Sequence, residues 1–457
     1  MAEKVNIVQA KKEFDIKKGI ELPEKMTHHK INGTHLFIAP EKASWITTNE
    51  VGKIFVDCFK KGYSIEETIN IMRAKKLRMD EIINELNSFL INIEKKGFYE
   101  NAIIKEEIRS EPFLQLYVTN KCNLRCIHCY MDAGKSKDGE LTTSEWVKVI
   151  DEFSKLYKTK VTFTGGEPLI RPDIFILTKR AKERGLIVEI FTNGTLIRNE
   201  KIVNKLTESV DIIQLSLDGA TARINDKIRG KGVFNKVIRA IHLLKDTKIK
   251  LRLAIIVMPQ NIKDLKENIE YLVRLFKTDR IEMKFGFATT VGRADNSFRF
   301  ANYSIAEKEM QEILKILYKK RLKAMRKIQS NLIVRNCGFG MNITISCTGD
   351  IFPCAVPMHK YGNVRKDELM KIIKKIEKDR IASNVENLEE CSKCDLKYFC
   401  FGGCRLNNIS YNKNLFKPVC DSKKKEDIYL MLINRDKFDP LSIWIGESHL
   451  NANNLKI

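Results

Sequence analysis

The chain has 457 residues, 43% of them hydrophobic, with 81 basic against 58 acidic side chains for a formal charge of +23. That length allows two to four domains with buried cores, and the composition is that of an ordinary soluble protein. No stretch approaches the roughly 18 apolar residues that span a bilayer, and the opening Met1-Ala2-Glu3-Lys4 lacks an apolar signal core, so the expected location is cytoplasmic, with no membrane partner.

The positive balance would suit nucleic acid, an acidic peptide, or a small anionic reductant protein such as a flavodoxin or ferredoxin. Lysines are spread through nearly every amphipathic segment, which reads as solvated helix faces more than as a nucleic-acid arm.

Residues 1–100 read as a small front domain: an extended piece at 33–40, then apolar-periodic helices at about 49–61, 64–76 and 80–96. Strand followed by three helices has the form of a winged helix-turn-helix, a shape used for DNA and for peptides. Glu66, Glu67, Asp80, Glu81 and Glu85 on the second and third helices are unfavourable against phosphates, which favours a peptide and argues against nucleic acid. Cys58 falls at an apolar position and reads as a packing residue.

Residues 101–300 switch to strand followed by helix. Strands are expected near 114–118, 161–164, 186–192, 211–217, 250–258 and 281–287, and Thr142 with Glu145 forms a capping-box signature before the first helix. About six such repeats predict an α/β fold, a partial (β/α)6 barrel whose active site lies at the carboxyl ends of its strands. Residues 301–336 read as a Lys-rich helical bridge, 337–425 as a cysteine-rich domain with few strand signals, and 426–457 as a tail.

The twelve cysteines are divided unevenly: Cys58 alone, three at 122–129, and eight between 337 and 420. Cys122, Cys126 and Cys129 put three thiolates in one short loop, where a four-iron cluster would normally have four protein ligands. The iron left without a cysteine is where chemistry can occur. A disulfide with a spare thiol is the alternative, but a chain without a secretion signal belongs in a reducing compartment, where clustered cysteines bind metal. Three further turns follow successive strands: Thr164-Gly165-Gly166-Glu167-Pro168, Thr192-Asn193-Gly194 and Ser216-Leu217-Asp218-Gly219. Singly, each is a common turn.

Four such turns, the first carrying CxxxCxxC, resemble the radical S-adenosylmethionine (SAM) superfamily over residues 114 to about 290. The resemblance implies that Cys122, Cys126 and Cys129 ligate a [4Fe-4S] cluster whose open iron binds SAM, which is cleaved to methionine and a 5′-deoxyadenosyl radical. It also implies that Gly165, Gly166 and Glu167 hold the methionine ammonium, with Pro168 stiffening the turn. Asn193, Ser216 and Asp218 would lie near the ribose or the methionine end, Arg229 near the SAM carboxylate, and Val257 on adenine. His128 would contact adenine through its backbone and is not expected to bind metal.

The later cysteines run Cys337, Cys347, Gly349, Cys354, then Cys391-x2-Cys394-x5-Cys400-x3-Cys404 and Cys420. A zinc ribbon would explain four of the eight. The whole pattern resembles the SPASM domain of peptide-modifying radical SAM enzymes, which holds two auxiliary iron-sulfur clusters. By that resemblance one cluster uses Cys337, Cys354 and Cys404, with Cys347 as its fourth ligand or left unligated, and the other uses Cys391, Cys394, Cys400 and Cys420.

Residues 30–38, 48–51, 62–69 and 89–98 resemble the RiPP recognition element, which binds the leader of a ribosomally made precursor peptide as an added strand. The combined resemblance is to sactipeptide and ranthipeptide maturases, and it implies a radical SAM peptide maturase forming cysteine thioether crosslinks. Alternatives are carbon-carbon crosslinking, side-chain oxidation or epimerisation of a peptide, or tetrapyrrole or quinone cofactor biosynthesis. A metal-organised DNA-binding regulator is a further rival. Relatives that oxidise a side chain often place an acid just after the equivalent of Cys354; here Ala355, Val356 and Pro357 follow.

Overall fold

The computed structural model describes residues 14–106, 111–278, 280–288 and 330–437, with short pieces between 292 and 317. Within it the chain forms two compact units, one of Met1–Ile108, Lys327–Cys337 and Ser383–Pro440, the other of Arg109–Arg326, Gly338–Ala382 and Leu441–Ile457.

The first unit begins with a hairpin. Asn32 and Gly33, both at positive φ, make the two-residue turn between β1 (Thr27–Ile31) and β2 (Thr34–Ala39). A third strand, β3 (Ser44–Thr48), completes an antiparallel sheet ordered β1-β2-β3. The sequence revealed the middle strand alone, because Thr27-His28-His29-Lys30 is polar throughout. Helices α1 (Glu50–Lys60), α2 (Ile65–Ala74) and α3 (Met79–Lys96) match the expected ones within a few residues. The first two starts are chemically marked: Asn49 accepts from Gly52 N, and Ser64 and Glu67 form a reciprocal capping box.

One face of the sheet packs Phe37 and Ile46 on Phe55, Phe59, Leu86 and Phe89 of the helices. Cys58 is buried on α1, as its apolar position suggested. The opposite face sets Leu36, Ile38 and Trp45 against Leu396, Phe399, Ile428 and Leu432. The front sheet is therefore covered on both faces, and among the described residues its open backbone is at the β1 edge. The turn phase points the backbone of His28 and Lys30 outward on β1, while on β3 the carbonyls of Ala43 and Thr47 accept from Asn331 N and Asn92 Nδ2. A short parallel pair, β4 (Lys105–Glu106) and β11 (Leu332–Ile333), also belongs to this unit.

The second unit is the expected partial barrel. Strands β5 (Phe113–Thr119), β6 (Lys160–Gly165), β7 (Ile187–Thr192), β8 (Ile212–Ser216), β9 (Lys250–Val257) and β10 (Ile281–Phe287) are parallel neighbours in chain order. Alternation sends Leu114, Leu116, Val161, Phe163, Val188, Leu253 and Ile255 to the buried outer side. There they meet helices such as α4 (Thr143–Ser154), which buries Trp146, Val149, Ile150 and Phe153. Gln115, Tyr117, Thr162, Glu189, Arg252, Ala254, Glu282 and Lys284 occupy the alternate, lumen positions.

The cysteine-rich region is not one unit. Residues 338–382 belong with the barrel because β12 (Asn342–Ile345) pairs in parallel with β5, followed by β13 (Asp350–Phe352) and β14 (Gly362–Asn363). Residues 383–425 fall in the first unit. Most of the expected bridge at 301–336, and the tail beyond 437, lie outside the described residues. Ser422–Lys437 is helical.

Candidate active site

The cysteine loop leaves the carboxyl end of β5 and is fixed by its own backbone. Cys122 N donates to Gly134 O at 2.9 Å, Cys129 N to Cys126 O at 3.3 Å, and Ile127 N to Ile228 O at 3.0 Å. Arg293 adds Nε to Cys126 O at 3.0 Å. Burial pushes the Cys122 thiol up to about 11 and raises Cys126 as well, so loading a cluster must displace protons.

The turn after β6 lies against this loop. Gly166 N donates to Thr119 O at 2.8 Å and Glu167 N to Lys121 O at 2.9 Å. A Cβ on Gly165, whose φ is 131°, would stand 2.3 Å from Thr119 O, and one on Gly166 would stand 2.2 Å from Lys121 O, so close approach requires both glycines. Pro168 opens the short 3-10 turn that follows. Glu167 is already engaged by the protein itself. Its carboxylate is fully buried and accepts from Leu169 N, Thr192 Oγ1 and Asn193 N at 3.1, 2.7 and 2.8 Å, stapling the β6 turn to the β7 turn. Burial raises it to about 7 against those donors.

Asn193 reaches the same loop, with Nδ2 2.9 Å from Asn123 Oδ1 and 4.0 Å from Cys122 Sγ. Ser216 ends β8 at the mouth. Asp218 is fully buried and organises a triad the sequence had scattered: its Oδ2 is 2.7 Å from Arg229 Nε and 3.2 Å from His128 Nε2, and its Oδ1 accepts from Ile256 N at 2.8 Å. Burial alone would raise this carboxyl, yet Arg229 and His128 hold it at about 2. Arg229 Nη1 is also 4.0 Å from Cys126 Sγ. The cation expected for the SAM carboxylate thus comes already paired, and it couples the end of β8 to the cluster loop.

Two assignments need correction. Val257 has the strand parity of Leu253 and Ile255, the buried outer side, whereas Ile256 shares the lumen parity of Arg252 and Ala254. On this strand it is Ile256 that takes the lumen position, because one residue flips the face. Cys347 cannot join Cys354 on one cluster. It sits in the turn between β12 and β13, where its carbonyl accepts from Leu141 N and its thiol, raised to about 11 by burial, lies beside Glu140. Cys354 follows the far end of β13, roughly 15 Å away at the rise of an extended strand.

Below the mouth the lumen has a charged floor that sequence reasoning missed. Glu189 accepts from Lys160 Nζ at 2.6 Å and Thr162 Oγ1 at 2.9 Å and pairs with Arg252, which also reaches Glu282 at 2.8 Å. The signal was present: charged residues standing mid-strand at lumen positions.

In the first unit Cys391, Cys394, Cys400 and Cys420 line one cavity with Lys424 and Lys425. These are the four cysteines grouped by the sequence. Burial pushes Cys391 up to about 12. Arg405, wholly buried, makes five hydrogen bonds, all to the carbonyls of Ser383, Phe401, Gly402 and Gly403. A buried guanidinium satisfied by carbonyls, whose charge favours the thiolate form of Cys391 and Cys400, suits an anionic thiolate-bound cluster. Among the described residues no three His, Cys, Asp or Glu side chains converge on a single-ion site. Thiolates of a four-iron cluster need less convergence, since each meets a different iron. Cys337 and Cys404 lie in the first unit, Cys347 and Cys354 in the second.

The family model of the radical SAM superfamily matches residues 116–272, and that of SPASM, an iron-sulfur cluster-binding domain, matches residues 337–395. An AdoMet-dependent heme synthase of Methanosarcina barkeri is 29% identical over 315 residues, spanning 63% of this chain and 89% of its own length. Mycofactocin maturase MftC of Mycobacterium tuberculosis is 30% identical over 302 residues, spanning 63% of this chain and 76% of its own. Among solved structures, Streptococcus suis SuiB bound to precursor peptide SuiA has a TM-score of 0.55 at 17% identity, covering 89% of this chain and 99% of that one, a likeness of fold.

Proposed function

The chain belongs to the radical SAM superfamily and carries a SPASM iron-sulfur domain, and from that premise we propose that it forms cysteine thioether crosslinks in a ribosomally synthesised precursor peptide. It is an enzyme that uses SAM and [4Fe-4S] clusters. SAM, when bound, supplies a 5′-deoxyadenosyl radical. Cys122, Cys126 and Cys129 hold the cluster that binds it, Gly165 and Gly166 let the backbone approach, and the Asp218-Arg229-His128 triad fixes the loop beneath. Cys391, Cys394, Cys400 and Cys420 hold an auxiliary cluster, and a flavodoxin or ferredoxin delivers the electron.

The observation that carries the peptide reading is the front sheet, covered on both faces and, among the described residues, open at its β1 edge, where a leader can add as a further strand. The solved SuiB structure similar in fold is of that protein with its precursor peptide bound. A thioether fits because Ala355, Val356 and Pro357 place no carboxylate after Cys354. A substrate thiol then supplies the second atom of the bond.

Co-expression with a neighbouring short reading frame encoding a Cys-bearing peptide tests this reading. A mass loss of about two hydrogens per bond, dependent on SAM and reductant, is expected. An unchanged mass overturns it, and tandem mass spectrometry separates a thioether from a carbon-carbon bond, an aldehyde or an epimer. The likeness to a heme synthase favours a second reading, a tetrapyrrole substrate. Lys30→Pro removes an outward N–H from the β1 edge. Loss of peptide modification with intact SAM cleavage in this variant supports the peptide; modification indifferent to it points to the tetrapyrrole.

A further inference from the structure

Forming any bond at the expense of two hydrogens leaves a proton to place. The radical removes one hydrogen atom, giving 5′-deoxyadenosine. Closing the thioether then releases one electron, to an oxidised iron-sulfur cluster, and one proton, from the substrate thiol. The carboxylates and phenols described at the mouth and lumen are already engaged. Glu167 is stapled by three donors and Asp218 is paired with Arg229. On the floor, Glu189 is bound by Lys160, Thr162 and Arg252, and Glu282 by Arg252 and Lys250. Tyr117 is a phenol donating to Ala355 O at 2.6 Å and bonded to Tyr130 at 2.8 Å, and burial raises both phenols far above neutrality, Tyr130 to about 12.

One lumen group differs. Lys284, on β10, has the lumen parity and extends over the floor, facing Glu189 of β7, Arg252 of β9, Lys160 of β6 and Glu282 of its own strand. The floor's two carboxylates are already shared among Lys160, Arg252 and Lys250, and among the described residues no hydrogen bond or ion pair reaches the Lys284 ammonium. Its neighbours leave room: Ala254 is its register partner, and Gly286 takes the next lumen position toward the mouth. Resting on the proposed peptide-crosslinking function, we propose that Lys284 is the proton acceptor of the lumen, its neutral amine taking the proton that the substrate sheds as the bond closes. The amine becomes an ammonium, and charge and atoms balance with the electron passed to the cluster. Burial lowers Lys284 to about 8, with Arg252 and Lys160 pushing the same way and Glu189 and Glu282 opposing, so a usable fraction is neutral near physiological pH.

Two measurements test this. Competitive acetylation of the anaerobic holoenzyme across pH, read residue by residue by mass spectrometry, should show Lys284 half-reactive near pH 8. Free Nα-acetyl-lysine amide in the same mixture, an ordinary lysine amine, should react roughly two pH units higher. Reaction of Lys284 alongside or above that standard overturns the proposal. In the second arm, Lys284→Arg and Lys284→Met are co-expressed with the peptide of the neighbouring reading frame. Product should fall about 100-fold in both, while 5′-deoxyadenosine release persists. The wild-type rate should rise with pH through about 8, and Lys284→Arg should lose that rise. Wild-type product formation by Lys284→Arg with an unchanged pH profile overturns the proposal. If the wild type leaves the peptide mass unchanged, the crosslinking function fails instead, and the acetylation midpoint alone decides whether Lys284 is a lumen base.

Discussion

The loop of Cys122, Cys126 and Cys129 hangs from a seven-residue parallel strand and is tied to Gly134, Ile228 and Arg293 by hydrogen bonds, whereas Cys391, Cys394 and Cys400 stand on or beside two four-residue helices. Helices of one turn do not persist by themselves. The first site is therefore built by a sheet that exists without metal, and the second depends for its order on what its cysteines bind. On the proposed assignment, catalytic chemistry sits where the scaffold is independent of the cofactor, and the auxiliary site where cofactor and fold form together.

Removing one thiol from each region should give the largest contrast. Cys122→Ala should reduce deoxyadenosine release from SAM and dithionite to background while leaving the thermal melt nearly unchanged. Cys400→Ala should retain that release, lose one cluster of bound iron, and expose residues 383–425 to protease. Equal loss of SAM cleavage in both variants would erase the distinction drawn between them.

Arg405→Met strikes the second region without touching a thiol. Four carbonyls, of Ser383, Phe401, Gly402 and Gly403, lose their buried donor, which should cost about 3 kcal/mol. Urea denaturation followed through the iron-sulfur absorbance measures it, and deoxyadenosine release should hold. A loss below about 0.5 kcal/mol would mean that the guanidinium adds nothing to the order the cluster already imposes.

The same division explains what could be read from the sequence. The six barrel strands were legible to within a few residues because each is a buried apolar run followed by a turn with Gly, Asn or Cys. Strands β12 to β14 were not, since two to four residues hold strand form only through partners such as Leu114 and Leu116, far away in the chain. Spacing grouped Cys391, Cys394, Cys400 and Cys420 without difficulty. It could not show that Cys347 and Cys354 lie at opposite ends of one hairpin, nor that Ile256 and not Val257 faces inward. Arg405, Glu189 and Lys284 were missed for a common reason: a buried charge is recognisable by its neighbours, which come from other elements.

Acid should separate the regions by a smaller margin. Asp218 has a folded value of about 2 against 3.8 for the free carboxyl. Its stabilisation is thus complete above pH 4 and lost as pH falls through about 2, a difference near 2 kcal/mol. Asp218→Asn should flatten that share of the acid limb in melts of the barrel. A limb unchanged by the substitution would show that Arg229 and His128 do not depend on this carboxylate.

The smallest expected effect lies on the barrel surface. Arg365 Nε and Nη2 reach the two oxygens of Glu145 at 2.6 and 3.0 Å, and the same carboxylate accepts from Thr142 N at 2.8 Å in the capping box of α4. Arg365, then Thr142, hold Glu145 at about 2. Both partners are about one-third exposed, so water and salt discount the pairing: Arg365→Ala should cost little, and less in high salt. Thr142→Ala, which removes the cap itself, should cost about 1 kcal/mol at any ionic strength. Urea melts at low and high salt measure both. Should Arg365→Ala prove as damaging as Arg405→Met, burial would not be what distinguishes the two arginines, and the contrast between a scaffold-built and a metal-ordered region would need another basis.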